Sequence, residues 1–268
     1  MKDSVERQVT RYADGDFRVL GDTLVAEAPV EFRLGGVPIA VLMRTPGHDD
    51  ELASGFLITE GIVLDPGEIA GVSRRTSGED GDRYDLLLAN GVEVDPEQFR
   101  RNLYTTSSCG VCGKASIDAV RVTAPSMPDG PRLGPDLLEG LLAKMEAAQD
   151  AFHRTGGLHA AAIFDGRGEL LVLREDIGRH NAVDKAIGYL LERRWPFGEV
   201  ILVVSGRISF EMVQKAAVAG IPVICGVSAA SSLAAELGDE LGTTVVGFLR
   251  PGGFNVYSGA DRLTTNSA

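Results

Sequence analysis

Two of the chain's three cysteines, Cys109 and Cys112, are separated by only two residues in a run of small and polar residues. That run, residues 107–114, contains no aromatic residue and one branched apolar residue, so it offers little to bury a thiol. An exposed thiol close to a cation such as Lys114 is favoured as the thiolate, the form that attacks sulfur and binds metal ions. The pair is therefore predicted to be reactive, whereas Cys225, in an apolar run, is predicted to be an inert core residue.

A CxxC pair can serve three kinds of chemistry, and its residues alone leave them open. A structural zinc site needs four ligands, and only Cys225 and scattered histidines remain to complete one, so no metal site is predicted. A thioredoxin-like redox pair begins a helix, but glycine and three prolines lie soon after Cys112. The third chemistry is a sulfur relay, in which one thiolate carries sulfur as a persulfide and the second thiol assists its release.

Length and composition indicate a soluble globular protein with one large or two modest domains. The 268 residues are 44% hydrophobic and carry a formal net charge of −12. This charge argues against broad nucleic-acid binding, which relies on Lys and Arg to neutralise phosphates. No secretory signal, no membrane-spanning apolar run and no disulfide framework are evident, so we predict a cytoplasmic protein without a membrane partner.

Hydrophobic periodicity predicts an N-terminal mixed α+β domain over residues 1–101, a connector with the CxxC loop over 102–135, and an α/β domain over 136–268. The α/β domain alternates strands with helices, which predicts a mostly parallel sheet with helices on both faces. The predicted strands are 24–34, 37–43, 69–73, 84–88, 160–164, 169–173, 200–204, 221–227 and 243–248. The predicted helices are 49–59, one from 136 to about 155, 182–193, 209–219 and 231–237.

Ligands in such sheets bind beyond the carboxyl ends of strands, and three polar clusters follow predicted strands. The first, Arg179, His180 and Asn181, opens a helix, whose positive end suits an anion. Its alternative interpretation is an ordinary turn in which Asn181 caps the helix. His159 begins a strand after two glycines and could equally be a hydrogen-bonded structural residue, and His48 is predicted to lie at a helix start among solvated acids.

The second cluster is Ser205, Gly206 and Arg207, where glycine permits close backbone approach and arginine offers a two-pronged donor. It resembles a phosphate cradle, although the spacing of a P-loop is missing. The third cluster follows the last predicted strand, and its rings, Phe254 and Tyr257, could stack on one flat group. Its alternative interpretation is a C-terminal strand that covers the core.

Taken together and in order, these motifs resemble the FdhD/NarQ family of formate dehydrogenase accessory proteins. The similarity extends from about residue 45 to residue 258 and rests on five segments: the CxxC block, Thr155–His159, Asp176–Lys185, Ser205–Glu211 and Phe254–Ser258. Two departures are a serine at 258, where threonine is common, and alanines at 229–230, where a proline-containing stretch is expected.

The resemblance implies a sulfur carrier with the persulfide on Cys109 and Cys112 as the assisting thiol. It would receive sulfur from a cysteine desulfurase of the IscS type. It would deliver sulfur to the bis-molybdopterin guanine dinucleotide molybdenum cofactor before that cofactor enters formate dehydrogenase, and a GDP-like nucleotide would mimic the acceptor. A homodimer and a cytidine-deaminase-like three-layer α/β/α domain are also implied.

Cofactor-binding residues are expected in the C-terminal segment, which resembles the family's cofactor-binding stretch, and in the strand-end clusters. They are Phe254, Asn255, Val256, Tyr257, Ser258, Gly259, Ser205, Gly206, Arg207, Arg179, His180, Asn181 and His159.

Two other functions stay open. A cofactor-binding chaperone that moves no sulfur would not need Cys109. A zinc deaminase needs H-x-E followed by P-C-x-x-C, but Ala161 stands where the glutamate is required, and the CxxC precedes His159 without a preceding proline.

Overall fold

A computed structural model describes residues 3–76, 82–96 and 127–264, which form three sheets and six α-helices. The N-terminal part contains β1 (Ser4–Ala13), β2 (Asp16–Val25), β3 (Ala28–Leu34), β4 (Val37–Arg44), α1 (Asp49–Thr59), β5 (Ile69–Thr76) and β6 (Asp82–Leu88). The C-terminal part contains α2 (Pro135–Ala147), α3 (Asp150–Thr155), β7 (His159–Asp165), β8 (Leu170–Asp176), α4 (Arg179–Leu191), β9 (Val200–Val204), α5 (Phe210–Val218), β10 (Val223–Gly226), α6 (Ser232–Leu241), β11 (Thr244–Arg250) and β12 (Gly253–Ser258). Short 3₁₀ turns cover Pro66–Glu68 and Ala260–Arg262.

The largest sheet has six strands in the order β12-β11-β10-β9-β7-β8. β9, β10 and β11 run parallel, whereas β7 pairs antiparallel with both β9 and β8, and β12 pairs antiparallel with β11. The predicted mostly parallel sheet is therefore wrong in this respect, and the sheet is mixed. The reason is local: β7 and β8 are joined by a tight turn, and β11 and β12 by another, and such turns make antiparallel pairs.

Helices cover both faces of this sheet, as the alternation of elements predicts. On one face, α4, α5 and α6 pack with α1 and the four-stranded sheet around one continuous core that includes Phe32, Leu57 and Ile187. On the other face, α2 packs on the sheet through Leu138 and Leu141. Successive strand residues alternate between these two cores, so each strand of the centre is buried on both sides.

Helices α1 and α4 cross at unusually short range because each has a glycine at the contact. A Cβ added to Gly55 would collide with the backbone of Asp184, and one added to Gly188 would collide with the backbone of Glu51. Gly55 lies four residues after Glu51 on α1, and Gly188 lies four residues after Asp184 on α4. Residues four apart share a helix face, so the two contacts belong to one crossing. This contact fixes the middle of α4 against α1.

Several predicted boundaries differ from the structure for identifiable reasons. The predicted strand 24–34 is divided between β2 and β3, and the hairpin β1–β2 was not predicted, because its strands lack an alternation toward a core. The helix predicted from 136 is interrupted between Ala147 and Asp150. Helix α4 begins at Arg179, three residues earlier than predicted, so Asn181 lies inside it and does not cap it.

Candidate functional site

The carboxyl end of β9 brings two of the predicted clusters together with His159. Because β7 runs antiparallel to β9, its first residue, His159, lies at the edge where β9 ends. A Cβ at Gly206 would lie 3.5 Å from His159 Nδ1 and 3.7 Å from Arg179 Cδ. An alanine at this position would therefore contact the imidazole and the arginine stem at ordinary distances, whereas a larger side chain would fill the space between them.

Ser205 extends the pairing of β7 with β9 by one residue. Its Oγ accepts a hydrogen bond of 2.9 Å from the backbone N–H of Ala160, and its own N–H donates to the Ala160 carbonyl at 3.0 Å. One hydroxyl lone pair and the hydroxyl hydrogen remain for another partner. Ser205 therefore stabilises the pairing of β7 with β9, and ligand binding would be an additional role.

Two arginines at this edge have no ion pair within the part of the chain that the structure describes. Arg207 is exposed in the turn between β9 and α5, and Arg179 is half-buried at the first residue of α4. The residues that cap these helices, Gly178 and Ser209, make no side-chain cap bond, so first-turn N–H groups stay available. Free guanidinium groups beside uncapped helix starts suit a phosphate or another anion.

His159 adds a neutral group to this positive edge. Burial lowers the pKa of His159 below its usual value, and the nearby charges of Arg179 and His180 lower it further. The imidazole is therefore expected to be uncharged at neutral pH, with one nitrogen able to accept a hydrogen bond.

Next to this edge a recess of about 230 Å³ opens between α1, α4 and α5. It is lined by Leu42, Phe56, Thr59, Glu60, His180, Asn181, Asp184, Glu211, Gln214 and Lys215. His180 Nε2 lies 3.0 Å from Glu211 Oε2, without the alignment of a hydrogen bond. Within the described residues, Glu211 Oε1 and Gln214 Nε2 are buried and have no hydrogen-bond partner. Such atoms favour a bound polar group in the recess, because leaving them unpaired costs free energy.

The floor of the recess is a buried ion pair that sequence reasoning did not identify. Lys215 Nζ lies 2.9 Å from both carboxylate oxygens of Asp184 and 2.8 Å from Thr59 Oγ1 and Glu60 Oε1. Burial alone would lower the pKa of Lys215, but attraction by Asp184 and Glu60 outweighs it and raises the pKa. Charged residues in otherwise apolar helices were the only signal in the sequence for this pair.

Asn181 has a structural role in addition to its place at the recess. Its side-chain nitrogen donates to the Met43 carbonyl at 2.8 Å and to Asp176 at 3.0 Å. Asp176, which is fully buried, also accepts from the N–H of Thr45 and pairs with Lys185 at 2.7 Å. The Asp176–Lys185 motif thus ties the end of β4 to the start of α4. Only the amide oxygen of Asn181 is left for a ligand.

The C-terminal segment does not place all its predicted residues at the same edge. Phe254 and Asn255 begin β12 at the edge of the carboxyl end of β9, since β12 runs antiparallel to the parallel strands. Ser258 and Gly259 lie at the opposite edge, where Ser258 Oγ donates to the Thr243 carbonyl and Gly259 has a positive φ of 65°. Their predicted contact with the cofactor stays a prediction.

The two aromatic rings of β12 also face apart. Phe254 and Val256 pack against the α2 side of the sheet, whereas Tyr257 packs against the side of α5 and α6, next to Gly247. The expectation that Phe254 and Tyr257 stack on one flat group is therefore wrong, because the sheet lies between them.

The predicted sulfur-carrying residues, Cys109 and Cys112, lie outside the described residues. Cys225 is fully buried in β10, and burial raises the pKa of its thiol to about 12, so it is an inert core residue as predicted. Among the described residues no cluster of three metal-ligating side chains occurs, and no helix is long and apolar enough to span a bilayer.

Comparison with known proteins shows which family the chain resembles along its length. The sequence model of the FdhD/NarQ family matches residues 25–264. The chain is 49% identical to the sulfur carrier protein FdhD of Streptomyces coelicolor, with 98% of this chain and 96% of that protein covered. It is 50% identical to the protein of the same name from Mycobacterium tuberculosis, with 91% and 92% covered.

A crystal structure from Desulfotalea psychrophila, described as that of a formate dehydrogenase accessory protein, has the same fold. It superposes with a TM-score of 0.77 at 23% identity, covering 98% of this chain and all of that one. The fold, the ordered motifs and the extent of the match agree, and the chain belongs to the FdhD/NarQ family.

Proposed function

We propose that this protein is a sulfur carrier that serves the maturation of formate dehydrogenase. The observation that carries the proposal is membership of the FdhD/NarQ family over residues 25–264, together with Cys109 and Cys112 inside that range. The relatives with about half of their residues identical are named sulfur carrier proteins. The free arginines and the polar recess of the β9 edge support a site for an anionic acceptor.

The transfer begins when the Cys109 thiolate attacks the terminal sulfur of a persulfide on a cysteine desulfurase of the IscS type. An S–S bond forms on Cys109, the S–S bond of the desulfurase breaks, and its cysteine leaves as a thiolate. Cys112 then attacks the Cys109 sulfur, so a Cys109–Cys112 disulfide forms and the terminal sulfur leaves as sulfide with the electron pair. An external dithiol reduces that disulfide for the next cycle.

The acceptor is the bis-molybdopterin guanine dinucleotide molybdenum cofactor, which here is a substrate and not a resident group. Its phosphates would bind Arg179, Arg207 and the uncapped helix starts. Among the described residues these two guanidinium groups have no ion pair, and the first-turn N–H groups are free donors. Glu211 and Gln214 offer an acceptor and a donor to a polar part of the same ligand. A GDP-like nucleotide carries the same phosphates and is the practical probe.

Several finer features belong to the same proposal. The C-terminal part is taken as cytidine-deaminase-like, supported by its three layers with α2 on one face and α4, α5 and α6 on the other. The protein would work in the cytoplasm as a homodimer and hand the cofactor to formate dehydrogenase.

The acceptor half of the proposal is tested by GDP binding measured by calorimetry. Arg207→Ala should weaken GDP binding by at least about tenfold, because a guanidinium–phosphate bond is lost. Arg167→Ala, which removes an arginine from the β7–β8 turn, is the matched control and should leave the affinity unchanged. Equal affinities of both variants and the wild type would remove Arg207 from the site.

A further inference from the structure

The hairpin of β1 and β2, called here the N-terminal ribbon, stands apart from both larger sheets. Its strands pair antiparallel over ten residue pairs, and neither pairs with a third strand within the described residues. Its base is fixed by the ion pair of Asp3 with Arg154 at 2.6 Å and by contact of Val25 with Gly157. A two-stranded ribbon is at best marginally stable in water, so pairing with a further strand would stabilise this one.

The ribbon also exposes large apolar side chains. Val5, Tyr12, Phe17 and Val19 have exposed fractions between 51% and 70%. Tyr12 and Phe17 lie opposite each other with ring centroids 5.0 Å apart, so they form a patch at the tip. Exposed apolar surface on a ribbon whose strand edges are unpaired among the described residues marks an interaction site.

The charges of β2 show what kind of partner fits. Arg11 lies directly opposite Arg18 across the ribbon, an arrangement of like charges that destabilises the isolated hairpin. The one ion pair of Arg18 among the described residues is with exposed Asp16 at 3.7 Å. Along β2, Arg18, Leu20 and Asp22 share one face because they are two residues apart.

We propose that the N-terminal ribbon is a dimerisation arm, in which β2 pairs antiparallel with β2 of a second copy about a two-fold axis at Leu20. An axis perpendicular to the sheet keeps each side chain on its own face. In this register Arg18 lies opposite Asp22 of the second copy, Asp22 lies opposite Arg18, and the two Leu20 side chains pack together. Two ion pairs then offset the Arg11–Arg18 repulsion, and the exposed edge of β2 becomes buried.

Other symmetric registers of β2 set like charges together, pair few residues or bring no opposite charges face to face. An axis at Phe17 also sets Asp16 opposite Arg18, but it pairs only residues 16–18 of β2, whereas the axis at Leu20 pairs residues 16–24. An axis at Val19 sets Asp16 against Asp22 of the second copy. An axis at Arg18 sets the two Arg18 residues against each other, and an axis at Asp22 does the same for the two Asp22 residues, so like charges meet in each case.

Within β1 itself, no symmetric register places opposite charges face to face, because Glu6 differs from Arg7 and Arg11 by odd numbers of residues. Asp3, just before β1, is already paired with Arg154. Opposite charges within a long strand pairing therefore occur on β2 in one register, the one with its axis at Leu20.

The inference rests on the homodimer of the proposed function and names its surface. The ribbon ends where the match to the family begins, at residue 25, so the motifs that define the family do not include it.

Sedimentation equilibrium of the full chain tests the arm. The wild type should have twice the 28.4 kDa monomer mass. Arg18→Asp should raise the dimer dissociation constant at least tenfold. The double variant with Arg18→Asp and Asp22→Arg should return that constant to the wild-type value. Arg167→Asp makes the same change in net charge away from the ribbon and should have no effect.

A cross-link provides a readout that does not depend on charge. In a Cys109→Ser, Cys112→Ser background, Leu20→Cys should form a disulfide-linked dimer on oxidation. Val9→Cys, opposite Leu20 on the far strand of the ribbon, should not. A dimer that is unchanged by Arg18→Asp and gives no Leu20→Cys cross-link overturns the arm but leaves the homodimer standing. A monomeric wild type overturns both, whereas persulfide formation on Cys109 is measured separately.

Discussion

Replacing Gly188 by alanine should separate α1 from α4 and destabilise the protein. The added Cβ would lie 2.7 Å from the carbonyl carbon of Glu51 and closer still to its oxygen, which would have to withdraw by more than 1 Å. The obstacle is helix backbone, so no side-chain rotation relieves it. Overpacking of this kind costs about 3 kcal/mol, against which the better helix propensity of alanine returns about 1 kcal/mol. The expected net loss is about 2 kcal/mol in the free energy of unfolding.

Gly140→Ala is the matched control, since Gly140 also lies inside a helix, α2, but has no atom within 4 Å of an added Cβ. That variant should gain up to about 1 kcal/mol. Urea unfolding followed by circular dichroism measures both variants. The reasoning would be refuted if Gly188→Ala were as stable as Gly140→Ala, because the crossing would then not be tight.

Two further predictions concern charged contacts and use the same urea assay. Burial raises the pKa of Glu51, but hydrogen bonds led by those from Arg174 outweigh it and hold the pKa at about 2, against 4.5 ordinarily. This carboxylate should contribute about 1 kcal/mol of stability above pH 4.5, lost as the pH falls toward 2, and Glu51→Gln should flatten that dependence. Asp184→Asn should cost about 3 kcal/mol because Lys215 loses the more buried of its two counter-charges. Combining it with Lys215→Met should cost less than the sum of the two changes, and strict additivity would contradict the coupling.

Elements with a strong hydrophobic period are predictable from this sequence. Helix α1 and strand β9 have the predicted bounds, 49–59 and 200–204. Acidic residues mark the first turn of α1, and β9 is an unbroken apolar run that is buried on both faces. The N-terminal ribbon was missed because its polar strands are stabilised by pairing, which leaves no burial pattern in the sequence. The direction of β7 and β12 likewise depends on turns rather than on periodicity.

The candidate site was predictable in part for the same reason. Arg179 and Gly206 each follow a strand and lie at one edge of the sheet, as polar residues after strands should. His159 lies beside them because β7 runs antiparallel to β9, which the sequence analysis did not predict. The unpartnered atoms of Glu211 and Gln214 could not be predicted, because they depend on how α5 packs against α1 and α4. The sequence also could not show that Phe254 and Asn255 lie at one edge of the sheet and Ser258 and Gly259 at the opposite edge.

Intact-protein mass spectrometry shows whether Cys109 carries sulfur as a persulfide. The protein is incubated with a cysteine desulfurase and cysteine, and wild type is compared with Cys109→Ala and Cys112→Ala. We expect the wild type to gain the mass of one sulfur atom, which a thiol reductant removes. The gain should persist in Cys112→Ala and disappear in Cys109→Ala. No gain in the wild type with an active desulfurase, or an undiminished gain in Cys109→Ala, would contradict this proposal.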